Sequence, residues 1–204
     1  YGLRNAAEKW RRVPTVLRKL GGFTRKCEDL AFDEDAPAHS RDAACVLAIM
    51  AKSGARVGLK TNFYKKRKHR SGAESVSGAR GALTLGPENV TVDGDTIRLS
   101  FSGKKNVENA FVFRSHKLAV RLKERIEERE GETFLFDTTE HECKTIMASM
   151  GMGGAKMHDL RTAKAAVHAA NAFAKVSPPP PPLPRNRDDA IKLVRQRVKE
   201  ASAI

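Results

Sequence analysis

The sequence predicts a mainly α fold carrying a small antiparallel β-sheet, an α+β architecture, and three observations predict it. Apolar residues recur at helical spacing from Leu3 to Leu20 and again from Leu118 to Ile126. Between them, over residues 82–113, the pattern changes to period two, with Ile97, Leu99 and Phe101 on one face of a strand. Asp93-Gly94 sits between two such runs and supplies the positive-φ positions of a tight hairpin turn.

The first apolar stripe is Leu3, Ala7, Trp10, Val13, Leu17 and Leu20. Pro14 interrupts it, and because proline lacks an N–H and fits best in a first turn, two short helices are expected, the second ended by Gly21-Gly22. Residues 41–52 carry Ala44, Cys45, Leu47, Ala48 and Met50 almost without polar relief, which predicts a buried central helix with Arg56 just past its end. Residues 64–80, with the basic run Lys65-Lys66-Arg67-Lys68-His69-Arg70 and then a Ser/Gly/Ala stretch, read as a mobile loop. Strands are expected at 82–85, 89–92, 96–101 and 109–113, which leaves 103–107 as an inter-strand loop and puts Lys104 on a hairpin tip.

Leu118, Leu122 and Ile126 mark a helix whose outer face, the charge run 123–132, is expected to be solvated and laced with i,i+4 pairs. Thr139-x-x-Glu142 is a capping-box pattern and Gly151 a stop, so a helix is expected over 140–150. Another begins near Asp159, with Leu160, Ala163, Val167 and Ala170 on one face, and ends before Ser177. Five prolines at 178–182 and then Leu183-Pro184 form a polyproline spacer, and a final helix carries Ile191, Val194 and Val198 inward. The expected organisation is a core domain at 1–176, a proline-rich linker at 177–187 and a C-terminal helix at 188–204.

At 204 residues and 40% hydrophobic content the chain closes one ordinary core. Lysine and arginine number 38 against 24 acids, a net charge of +14, which favours a polyanionic partner through phosphate contacts and counterion release. A merely solvated basic surface is the competing reading. Cys27, Cys45 and Cys143 have neither disulfide-framework nor zinc spacing, so reduced thiols and no metal are expected. With no membrane-length apolar run and no signal-peptide order at the start, the expectation is an intracellular protein, in cytoplasm, nucleus or virion, without membrane contact.

The most informative stretch is Lys156-Met157-His158-Asp159-Leu160-Arg161-Thr162, which places a histidine three residues before an arginine at a helix start. With Arg56 and Lys104 upstream, the chain order is Arg, Lys, His-x-x-Arg. Breaking a phosphodiester without a metal requires charge to be neutralised on the non-bridging oxygens and a proton to reach the departing 5′ oxygen. Guanidinium forks suit the first task and a lysine, whose proton can leave, the second. Arg56 and Arg161 are therefore the candidate oxyanion clamps and Lys104 the candidate general acid. His158 divides between phosphate contact and a helix-start surface position. Tyr64, Lys60, Lys65, Lys66, Arg67, Lys105 and Lys156 are the candidate DNA-backbone contacts, and His116 and His168 are read as packing or surface residues.

Residues 81–204 resemble the catalytic domain of poxvirus-type type IB DNA topoisomerases. The resemblance rests on Leu83-Thr84-Leu85, the acidic turn, the strand from Ile97 to Phe101, Gly103-Lys104, Phe134-Leu135-Phe136, Asp159-Leu160-Arg161-Thr162 and the prolines from Ser177 to Pro184. It is weaker over residues 1–60, where Tyr1-Gly2 and Arg56-Val57-Gly58 are similar to the family's entry into that domain. It implies the DNA breaking-rejoining core shared with tyrosine recombinases. It also implies a monomer on double-stranded DNA that relaxes supercoils through a transient 3′-phosphotyrosine, with no ATP, metal or other cofactor.

Two departures qualify what the resemblance implies. The family continues past its last helix into Gly-His-Thr and a nucleophilic tyrosine, whereas this sequence holds only Tyr1 and Tyr64, so no nucleophile is nominated. A tail after Ile204 is the expectation, ahead of a protein completed in trans or one that has lost cleavage. The family's small N-terminal β domain is also not in this sequence, and at 158 the topoisomerases usually carry lysine where recombinases carry a catalytic histidine. A tyrosine recombinase or integrase and a catalytically incomplete DNA-binding module are therefore the alternatives.

Overall fold

The computed structural model describes residues 2–68 and 74–175, together with Lys192, Arg195 and Gln196. Helix α1 (Gly2–Phe32) runs unbroken through Pro14 and through Gly21-Gly22, so the expected pair of short helices is one. An interior proline costs about 3 kcal/mol or more and an interior glycine about 1 kcal/mol. Burial against α2 (Ala38–Ser53) outweighs them. Val13, Val16, Phe23, Cys27 and Ala31 line one buried face, and each large apolar side chain contributes roughly 1.5–3 kcal/mol.

Every residue from Ala43 to Ala51 is buried, so α2 is the central helix its composition predicts. Gly54 ends it at φ 75°, donating its N–H to the Met50 carbonyl at 2.9 Å, and releases the chain at Ala55-Arg56. A short helix α3 (Lys60–Phe63) follows. The stretch read as a loop then contains an antiparallel pair, β1 (Lys66–Lys68) with β2 (Glu74–Val76), in which Lys66 faces Val76.

The three-stranded antiparallel sheet has the order β3 (Val90–Asp93), β4 (Thr96–Ser102), β5 (Glu108–Arg114), with Val92 opposite Ile97 and Leu99 opposite Phe111. Val90, Ile97, Leu99 and Phe101 form its core face, as the alternation predicts, and Gly94 holds the β3–β4 turn at φ 54°. The strand expected at 82–85 is instead a tight 3-10 turn, Ala82–Thr84. The three residues of the turn and Leu85 after it are all buried, so there is no exposed face for alternation to report.

Helix α4 (His116–Glu128) is capped by Ser115, whose hydroxyl accepts the Leu118 N–H and donates to Glu28. Its charge run is not wholly solvated. Arg121 and Arg125 turn inward to the buried Asp42 of α2, Arg125 at 2.6 Å and Arg121 at 3.7 Å, and the Asp137 N–H donates to the same carboxylate at 2.8 Å. The pairs that form along the helix are i,i+3, Arg121–Glu124 and Arg125–Glu128, and i,i+7, Arg121–Glu128 at 3.5 Å. Helix α5 (Glu140–Met147) carries the predicted capping box, with Thr139 and Glu142 exchanging backbone contacts at 3.2 and 2.7 Å. It stops short of residue 150 and gives way to a wide turn, Ala148–Met152, that reverses at Gly151 (φ 84°).

Helix α6 (Met157–Lys175) begins where the sequence places it, with Leu160 and Ala163 buried. By contacts the chain divides into two units, Tyr1–Lys164 and Ala165–Ile204. The proline-rich linker at 177–187 lies outside the described residues, as does the C-terminal helix apart from Lys192, Arg195 and Gln196, which are helical. Cys27, Cys45 and Cys143 are free and buried, and burial pushes the Cys45 and Cys143 thiols up to about 12 and Cys27 higher still. Among the described residues no helix is long and apolar enough to cross a membrane.

Candidate active site

The Arg56 position is set by two glycines. Arg56 and Val57 lend their carbonyls to the N–H groups of Ala82 and Leu83, each at 2.8 Å, so the segment after α2 is tied to the 3-10 turn. That pairing brings Gly58 (φ 69°) onto Gly81, and a Cβ on Gly58 would lie 2.5 Å from the Gly81 Cα. Only a residue without a side chain fits at either place. Thr84 closes the turn, its hydroxyl accepting the Gly81 N–H at 2.9 Å.

Lys104 stands on the β4–β5 connection, as the hairpin pattern predicts. The Gly103 N–H donates to the Val107 carbonyl at 2.8 Å, and Lys105 (φ 64°) and Asn106 (φ 60°) take the left-handed region to close so tight a loop. Arg161 and His158 come from the first turn of α6. Asp159 fixes that start from beneath. Its buried carboxylate accepts the Lys156 N–H at 2.9 Å and the Arg12 Nε of α1 at 2.7 Å. Burial pushes the Asp159 carboxyl up, but Arg12, the Lys156 N–H and the charge of His158 more than offset this, leaving it below its ordinary value.

Arg56, Lys104, His158 and Arg161 all line one recess of about 620 Å³. Arg80 and Lys65 line it too, and no aspartate or glutamate does. The Arg161 guanidinium is pushed below its ordinary pKa, first by partial burial and then by the positive charge of Arg56. Convergent cations without carboxylates in the lining can hold an anion.

The remaining sequence candidates fall around this recess to different degrees. Lys65 is in its wall. Tyr64 is exposed and does not line it, packing edge-on against Phe63 at 5.1 Å and Phe134 at 5.8 Å. Lys60 lies over the Phe134 ring at 5.3 Å. Lys105 and Lys156 are exposed beside Lys104 and His158, Lys66 is exposed on β1, and Arg67 follows it there. His116 pairs with Asp95 at 2.9 Å and His168 is exposed, so both are surface residues.

Sequence reasoning missed Arg80 and Arg12. Arg80 donates to the carbonyls of Thr84 at 2.6 Å and Thr133 at 2.9 Å, pairs with Glu88 at 2.7 Å and lies over Phe63 at 5.1 Å. It knits the recess wall, yet in sequence it is a single arginine in a Ser/Gly/Ala stretch. Among the described residues no group of three or more His, Cys, Asp and Glu is placed to hold a metal ion.

No family model matches this sequence, and no curated protein matches it. Among solved structures the chain is similar to the XerH site-specific recombinase bound to palindromic difH substrate in a post-cleavage complex. The identity is 17% and the TM-score 0.51, over 76% of this chain and 41% of that chain. It is also similar to the pre-cleavage complex of XerH with difH, at 16% identity and TM-score 0.48, over 74% and 42%. The chain thus spans less than half the length of those recombinase chains. The first likeness shows an α+β fold similar to that of tyrosine recombinase catalytic domains, and it does not single out the poxvirus-type topoisomerases whose motifs the sequence resembles.

Proposed function

We propose that this chain is the catalytic region of an enzyme that cuts and rejoins one DNA strand at a time, relaxing supercoils in the manner of the type IB topoisomerases. The observation that supports it most is the single recess shared by Arg56, Lys104, His158 and Arg161, lined by cations and by no carboxylate. In this reading Arg56 and Arg161 grip the non-bridging oxygens of the scissile phosphate, His158 adds a further donor, and Lys104 protonates the 5′ oxygen as its bond to phosphorus breaks. A tyrosine hydroxyl gives up its proton to water as its oxygen forms the new bond to phosphorus, and the reverse step restores the strand. That tyrosine is not assigned to a residue here, since Tyr64 lies off the recess.

Relaxation of both positive and negative supercoils in EDTA without ATP is the expected activity, and a requirement for magnesium or ATP would overturn it. Replacing the bridging 5′ oxygen by sulfur, a better leaving group, should restore cleavage to Lys104→Ala and not to Arg56→Ala. Equal rescue of both would remove the general-acid role. Site-specific recombination is the second reading, favoured by a histidine at 158 and by the likeness to XerH. A plasmid with two sites separates them, since recombination changes the order of the DNA between the sites and relaxation leaves it intact.

A further inference from the structure

A second recess, of about 260 Å³, lies between α1 and the glycine-rich turn, with Arg11, Thr15 and Lys19 on one wall and residues 151–155 on the other. No acid lines it. Arg12 at its edge is already matched by Asp159, but Arg11 has no ion-pair partner among the described residues, and Lys19 spends one of its three protons on the Gly151 carbonyl at 2.7 Å. On the other wall, Cβ positions on Gly151, Gly153 and Gly154 would meet nothing within 4 Å, so the backbone there is open to close approach.

This recess is joined to the candidate active site. Residues 152–155 also line a third hollow, of about 620 Å³, whose far wall holds Val57 and His158, and both of those residues line the reacting recess as well. Lys156 is exposed on that lining, where Lys144 is already paired with Glu140 at 2.9 Å. The three hollows therefore share walls in series, with Arg56 and Arg161 on the first and Arg11 and Lys19 on the last. A string of phosphates at regular spacing is the anion that fits a track of separated cationic seats.

We infer that the Arg11–Lys19 recess is an outlying seat for a DNA backbone phosphate, holding the duplex beyond the reacting phosphodiester. The inference rests on the DNA-cleaving reading and says where the rest of the duplex runs. Each phosphate contact adds about 0.9 to the slope of log affinity against log salt concentration. Titrating a short duplex into the full chain at several salt concentrations should therefore give a slope smaller by about 0.9 for Arg11→Ala with Lys19→Ala, which empties the one phosphate seat, and smaller by part of that for Arg11→Ala alone. Lys19→Arg keeps the charge and should keep the slope. Arg18→Ala removes the same charge from the same helix outside the recess and should change the slope little.

A measurement on the unaltered protein guards against variants that fail to fold. Duplex should protect Lys19 from acetylation, read by mass spectrometry, while Lys26 of the same helix stays reactive. Wild-type binding with an unchanged slope in the double variant, equal losses for Arg18→Ala and Arg11→Ala, or an unprotected Lys19 would each overturn the seat and leave the cleavage chemistry standing. A chain that binds no duplex at all would overturn both.

Discussion

Two places in this protein gather arginines, and they are built in opposite ways. Under α4, Arg121 and Arg125 are buried to within 7% of full enclosure and face Asp42, itself 1% exposed, with Glu124 and Glu128 on the outer side. In the recess, Arg56, Arg161, Arg80, Lys65 and Lys104 converge with no acid in the lining, and Arg161 is destabilised as a cation by burial and by Arg56. The first set is matched within the fold and joins α2, α4 and the segment at Asp137. Of the second, Arg80 alone has a carboxylate partner among the described residues, Glu88 at 2.7 Å. Cations without carboxylate partners in a partly buried site cost the fold stability, and such a site suits an anionic ligand.

The largest test of this contrast is Asp42→Ala. It removes the buried carboxylate that both guanidiniums face and leaves them only Glu124 and Glu128 on the outer side, so unfolding free energy should fall by about 3 kcal/mol, read as a lower denaturant midpoint at constant slope. A loss under about 1 kcal/mol would mean that the cluster is solvated and that the two centres do not differ. Arg161→Ala should do the reverse. Cleavage should slow by about 10²–10³-fold, roughly 3–4 kcal/mol of transition-state stabilisation, while duplex binding persists and the thermal midpoint stays at or above that of the parent. A slowing under tenfold, or a clear loss of stability, would make Arg161 a structural residue.

The smallest expected effect is at Asp159, which belongs to the matched class though it lies beneath the site. Its carboxyl is held below the ordinary value near 3.9. The stability it contributes is therefore fully present above that pH and is lost as pH falls through the depressed value. Asp159→Asn should flatten the acid limb of the stability curve by at most about 1.4 kcal/mol per pH unit and leave the neutral region's pH dependence unchanged. An unchanged acid limb would show that the Arg12–Asp159 pair is not formed in solution.

Local chemistry wrote several elements legibly. The β3–β4 hairpin, the capping box at Thr139, the burial of α2 and the start of α6 each depend on residues within a few positions of one another, and each is found where the pattern puts it. Elements that depend on distant partners were misread. Pro14 and Gly21-Gly22 say stop, and α1 continues because its buried face packs on α2. Residues 82–85 alternate like a strand, yet they coil because Arg56 and Val57 take their N–H groups. Arg125 sits in a charge run that reads as surface, and Asp42, 83 residues away, draws it inward.

By itself the sequence determined the order Arg, Lys, His-x-x-Arg, the hairpin that carries Lys104 and the helix start that carries Arg161, because propensity, turn chemistry and capping act over a single turn or hairpin. Only the tertiary structure decided that these cations share one recess, that Gly58 must lie on Gly81 to aim Arg56, and which arginines are matched by carboxylates and which are not. Charge compensation is a matter of distance in space: Arg12 and Asp159 are 147 positions apart and meet at 2.7 Å, and no reading along the chain contains that distance.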